Sequence, residues 1–210
     1  MKEWISKNIS KPWRKNRRQA AAVLHPISHI GSITPFLVMI WDFLRGTLAA
    51  DPILDMTHRT GKTALILLML SLAVSPIRSI FNWPQLGKLR RPLGLYSFAY
   101  AAVHFAIFIG LDYGFQFSLL PGAFLEKRFA IIGFFAGFIL LILAITSLNA
   151  LVKKLGKKWK ILHRFVYAAG VLAAIHFIMA VKPGVLRPWF YGAGMLVLLA
   201  YRIPFVRSRI

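Results

Sequence analysis

No cysteine occurs among the 210 residues. Its absence excludes disulfides, thiolate nucleophiles and thiolate-ligated iron–sulfur clusters together. Acidic residues are nearly as scarce, six against 27 Lys and Arg, and none of the six lies inside an apolar run. Intramembrane proton relays usually include Asp or Glu, so a relay of that kind lacks its parts. No glycine-rich dinucleotide fingerprint follows a strand-like segment, so the sequence carries no nucleotide-binding domain of that type. Any electron chemistry must therefore rest on a bound cofactor.

What the chain has in excess is apolar length. Its composition is 58% hydrophobic with a mean hydropathy of +0.63, too apolar for an ordinary soluble domain. Uncharged runs cover residues 19–41, 63–77, 92–111, 129–152, 165–181 and 188–201. Four of them reach or approach the ~20 residues that cross a hydrocarbon core of ~30 Å. The second and sixth are shorter, but flanking Lys and Arg can snorkel to the headgroups and extend them to 61–80 and 184–201. The expectation is an all-α integral membrane protein: a basic tail over 1–18, then a bundle of six transmembrane helices over 19–210. No internal repeat stands out at this level.

The formal net charge of +21 would suggest nucleic acid in a soluble chain. Its distribution argues otherwise. In a six-helix topology 20 of the basic residues fall on one side: those of the tail, Arg78 to Arg91, Lys153 to Arg164, and Arg202 onward. The other seven share the opposite side with five of the six acidic residues. That asymmetry follows the positive-inside rule and places both termini in the cytoplasm. It also suits contact with anionic membrane lipids. Trp4 and Trp13 among the basic residues of the tail suit the headgroup layer. No soluble domain is left to bind nucleic acid.

Histidine supplies the candidate chemistry. His104 lies 12 residues into the third span, about 18 Å deep at 1.5 Å per residue. His176 lies 15 residues beyond Ile161, about 22 Å deep. Two imidazoles at one level on two helices are what a bis-histidine haem requires, one axial ligand from each. The small and aromatic neighbours Ala101, Ala102, Phe105, Ala173, Ala174 and Phe177 suit a porphyrin slot and equally suit ordinary helix packing.

His163 stands 13 residues before His176, which leaves the two side chains about 140° apart on a straight helix. Two readings stand for it: ligand to a second haem near the inner face, with His29 of the first span as the better partner, or a non-ligand. Arg78, Arg90 and Arg91 occupy that same inner level, suited to a haem propionate, a flavin phosphate or an electron-donor site. His58 and Arg59 fall in an outer loop spanning about 42–62, where two readings stand for His58: a solvated loop or helix-cap residue, or with Arg59 part of a partner-facing surface.

Three runs carry a resemblance: A-D-P-I-L-D-M-T-H-R-T-G-K-T-A-L at 50–65, R-R-P-L-G-L-Y-S-F-A-Y-A-A-V-H at 90–104, and L-G-K-K-W-K-I-L-H-R-F-V-Y at 155–167, followed by A-I-H at 174–176. They resemble the MsrQ (YedZ) family within the ferric-reductase-like transmembrane group, over nearly the whole chain after the tail. The resemblance implies b-type haem between helices in a bacterial inner membrane, with haem histidines at His104, His163 and His176, one haem b or two, and an association with FMN. It also implies electrons drawn from the quinone pool or a cytosolic flavin reductase. These would pass to a periplasmic molybdenum-cofactor reductase, MsrP, which returns methionine sulfoxide to methionine. The substrate-reducing site would then lie on the partner. The wider group often has two histidines on each haem-bearing helix, whereas the third span here has one. Two rival functions share the apolar pattern, a ferric or metal reductase-type cytochrome b and a cofactor-free small-solute transporter.

Overall fold

A computed structural model describes the backbone of residues 2–182 and 184–202, and their side chains from residue 23 onward. The basic side chains of the tail, Lys2 to Arg18, and Arg207 and Arg209 lie outside these. Among the described residues the chain forms nine α-helices and no strand. They are α1 (Lys2–Leu44), α2 (Pro52–Ile80), α3 (Arg90–Ile107), α4 (Leu120–Glu126), α5 (Arg128–Ile145), α6 (Asn149–Leu155), α7 (Lys157–Leu162), α8 (Phe165–Ala180) and α9 (Arg187–Ala200).

Among the described residues five segments are long and apolar enough to cross a membrane: Val23–Leu44, Pro52–Ile80, Pro84–Asp112, Arg128–Ile145 and Lys157–Ala180. The protein is thus a multi-pass membrane protein. The expected sixth span falls on α9, whose 14 residues measure only about 21 Å, short of the hydrocarbon thickness, so α9 is not among the five. Helix α2 is longer than expected because its start is chemically marked. Asp51 caps it, its carboxylate accepting the Leu54 N–H at 2.9 Å, and Pro52 follows in the first turn. The predicted outer loop over 42–62 is corrected accordingly: residues 52–62, with His58 and Arg59, are helical.

Two helix pairs form the frame, α2 packed along α3 and α5 along α8, with α3 against α5 and α9 against α8 and α2. The bundle inverts the soluble pattern. Leu37, Trp41, Phe135, Phe138, Leu196 and Val197 are exposed, whereas Ser32, Thr60, Ser71, Ser97 and Ser147 are buried. Lipid gives apolar side chains no reason to hide, so small polar residues that let backbones approach occupy the interior. Their hydroxyls tie helices together: Ser97 Oγ donates to the Ala64 carbonyl at 2.8 Å, Ser71 Oγ to that of Arg90 at 2.8 Å, and Tyr100 Oη to that of Ser32 at 2.7 Å.

Charge divides the two ends: one holds every carboxylate among the described side chains, beside seven Lys and Arg, and is termed the acidic end for that reason. The α1–α2 and α3–α5 connections, with the turns that flank them, hold Asp42, Asp51, Asp55, Asp112 and Glu126. Arg59 is paired there with Asp42 and Asp55. Lys127 lies 3.4 Å from Asp112. Burial pulls the Lys127 ammonium down, but the Tyr113 hydroxyl and the Asp112 carboxylate together outweigh it and hold its pKa above the ordinary lysine value. The opposite end carries Arg78, Lys88, Arg90, Arg91, the lysines of α6 and α7, and Arg202, with no carboxylate among the described side chains.

Candidate functional site

His104 on α3 and His176 on α8 come together toward the acidic end, between the two helix pairs. Their ring centroids are 6.0 Å apart and the ring planes stand at 84°. The Nδ1 of His104 meets the Thr57 carbonyl of α2 at 2.9 Å, and that of His176 meets the Phe129 carbonyl of α5 at 2.8 Å. A carbonyl only accepts, so each proton resides on Nδ1 and each Nε2 keeps its lone pair. That is the arrangement in which a histidine binds metal, with its other nitrogen oriented by a backbone acceptor.

The donor set discriminates between kinds of metal group. Among the described residues no three His, Cys, Asp or Glu side chains gather in one place. A bare ion held by protein normally takes three or four such ligands. Two opposed imidazoles suffice only for a metal that brings its own in-plane ligands, as haem iron does. Two nitrogens about 2 Å from a shared metal leave their ring centroids roughly 6 Å apart, the separation observed. The residues therefore fit a haem.

One phenylalanine packs against the pair, and others bridge α3 and α5. Phe129 lies 5.8 Å from His176, and Phe105 packs at 5.9 Å on Phe134, which stacks with Phe138. Phe105 packs on Phe108 and Phe134, and Phe177 on Tyr191 of α9 at 5.5 Å. The contribution of Phe129 from α5 is not legible in the sequence, since helical spacing says nothing about which helix lies opposite.

The two halves of the site are also related in sequence, a repeat that the hydropathy pattern hides. Each histidine lies 47 residues after the residue whose carbonyl it meets. The segment A-A-V-H-F at 101–105 recurs as A-A-I-H-F at 173–177, and Gly61 and Gly133 stand at matching positions of α2 and α5. Ser97 and Ala169, which correspond in this alignment, are both completely buried. The α2–α3 and α5–α8 pairs are therefore two copies of one arrangement, each contributing one imidazole.

At the basic end the copies diverge. His163 corresponds to Arg91, and both converge on Ser147 at the end of α5. Arg91 donates to the Ser147 carbonyl, and Ser147 Oγ meets His163 Nε2 at 3.3 Å. The His163 ring stacks on Trp159 at 3.9 Å, its Nδ1 lies 3.2 Å from the Trp159 carbonyl, and Trp159 Nε1 donates to the Thr146 carbonyl at 2.9 Å. His29 is not brought to it. Instead His29 Nδ1 pairs with Tyr96 Oη at 2.9 Å, and its ring lies 4.8 Å from that of His25.

Arg78 and Arg90 share the basic end with Arg202, which the charge count treated only as a topology signal. Arg202 donates to the Leu72 carbonyl at 3.0 Å and lies over the Tyr167 ring at 5.4 Å. At the acidic end His58 is exposed while Arg59 is held in its two ion pairs.

Fold and site together define an all-helical, multi-pass membrane protein in which neighbouring helices oppose two histidines. Residues 60–174, more than half of the chain, match the ferric reductase like transmembrane component. The match takes in most of α2, all of α3 and α5, and α8 as far as Ala174, and the chain belongs to that family.

Proposed function

We propose that this chain is a membrane cytochrome b whose axial ligands are His104 and His176, and that it carries electrons across the bilayer. One observation supports this above the others: the two ring centroids stand 6.0 Å apart with both Nδ1 atoms engaged elsewhere. Bound there, a haem supplies a one-electron carrier that the protein's own side chains cannot provide. The Thr57 and Phe129 carbonyls hold the protons on Nδ1 and fix the ring orientations. Phe129, packed against the His176 ring, helps keep water from the site and lowers the local dielectric, which raises the cost of adding charge.

The finer reading is the haem subunit of a methionine sulfoxide repair system in a bacterial inner membrane, with both termini cytoplasmic and α9 completing a sixth span. The basic end is then the entry side. Electrons arrive from the quinone pool or a cytosolic flavin reductase, with Arg78, Arg90 and Arg91 offering charge to a quinone headgroup or an FMN phosphate. The acidic end is the exit side, where a periplasmic molybdopterin reductase of the MsrP kind docks over exposed His58. His163 belongs to the inner site as a neighbour of the donor rather than as a partner of His29.

Purification from cells supplied with haem tests the first claim. A red preparation with a Soret band and reducible b-type bands is expected, and a colourless one would sink it. The finer reading is tested by mixing reduced protein with MsrP and methionine sulfoxide. Reoxidation that depends on both supports it, whereas reoxidation by ferric chelates alone favours the metal-reductase alternative.

A further inference from the structure

We propose that Gly61 and Gly133 are positioning residues, each a notch without a side chain that seats the Nδ1 edge of one histidine and lets its N–H reach the carbonyl one turn earlier. The proposal rests on the axial-pair reading above and adds what holds the pair in place. A Cβ at Gly61 would stand 3.0 Å from both Cε1 and Nδ1 of His104. One at Gly133 would stand 2.7 Å from the same two atoms of His176. Neither glycine is at a helix end. Glycine within a helix costs about 1 kcal/mol relative to alanine, and the close approach of an imidazole gives that cost a reason.

The notch and the acceptor form one unit. Thr57 precedes Gly61 by four residues, as Phe129 precedes Gly133, so acceptor and notch lie on the same face of their helix. A methyl group at either glycine must push the ring outward, lengthen the hydrogen bond from Nδ1–H to the carbonyl and turn Nε2 away from its present direction. At Gly133 the contact is too close for the ring to stay where it is. At Gly61 a displacement of a few tenths of an ångström suffices, so the two sites rank.

Helix α5 contains its own control. Gly137 lies one turn beyond Gly133, and a Cβ there meets nothing within 4 Å. Gly61→Ala, Gly133→Ala and Gly137→Ala are therefore compared in the full-length protein for haem per chain, for the electron paramagnetic resonance spectrum of the oxidised form, and for midpoint potential. Near-perpendicular imidazole planes give low-spin ferric haem a strongly anisotropic spectrum. The unsubstituted protein and Gly137→Ala should share it.

Gly133→Ala should lose about 10- to 100-fold in haem affinity, the range for a lost orienting partner. Gly61→Ala should keep more haem with a narrowed spread of g values and a shifted potential, and it carries the test if Gly133→Ala does not fold. Haem content and spectra in both variants that match Gly137→Ala would overturn the proposal. Equal losses in all three would overturn it too, because they would reflect a general response of the helices to alanine. An unsubstituted protein without haem would instead overturn the axial-pair reading.

Discussion

The two ends of the bundle treat the internal repeat differently. At the level of His104 and His176 both copies keep the same residue, the same carbonyl partner and the same glycine beside the ring. At the basic end one copy has His163 where the other has Arg91, and a single serine receives both. Ser75, the counterpart of Ser147 in this alignment, has its hydroxyl buried without a hydrogen-bond partner. Under the proposed axial pair both copies would face one shared ligand, which holds each to the same chemistry. Where they face the headgroups, the constraint is gone and one copy has become a cationic cap on a helix end, favourable against the partial negative charge there.

The largest test of that contrast is removal of an outer histidine. His104→Ala or His176→Ala should abolish the low-spin b-type spectrum, since a single remaining axial ligand cannot maintain it, and absorbance spectroscopy reads this directly. A full complement of low-spin haem in His176→Ala would break the pairing. At the inner level, His163→Ala should leave the spectrum of the outer pair intact while slowing its reduction by quinol or reduced flavin in stopped-flow measurements. Loss of the outer spectrum in this variant would erase the distinction between the two ends.

Smaller effects sharpen the structural half of the comparison. Arg91→Gln removes a charged donor from the Ser147 carbonyl and should cost about 1 kcal/mol at a half-exposed site, read as a lower unfolding midpoint in detergent with the haem spectrum unchanged. Ser97→Ala removes one inter-helix hydrogen bond within the α2–α3 copy and should cost about 0.6 kcal/mol, the usual size in membrane bundles. Its counterpart is already Ala169, so the fold tolerates alanine there. Arg59→Gln should change stability least, by less than about 1 kcal/mol, with an effect that fades in high salt because the pair is partly exposed.

Much of this was legible along the chain. The spans follow from uncharged runs because lipid forces the backbone to satisfy itself within helices. The depth match of His104 and His176 follows from helical rise alone. The start of α2 at Pro52 was missed even though D-P-I-L-D carries a cap, an N1 proline and an acid in the first turn, because Asp and Arg interrupt the hydropathy that the reading followed. The repeat was missed for a related reason: its identities are a few residues in A-A-V-H-F and A-A-I-H-F and two glycines, scattered in segments where almost any apolar residue serves.

Composition and pattern by themselves determined that this is a helical membrane protein, with a basic and an acidic end and two histidines at one depth. Those properties depend on transfer to lipid and on the rise of one helix, and both are local. Only the tertiary structure decided that the two imidazoles come together, that each Nδ1 meets the carbonyl of Thr57 or Phe129, that Gly61 and Gly133 lie against the rings, and that His163 meets Ser147 while His29 pairs with Tyr96. Each of those depends on which helix lies opposite and at what rotation, which side-chain packing between helices sets and a linear pattern does not record.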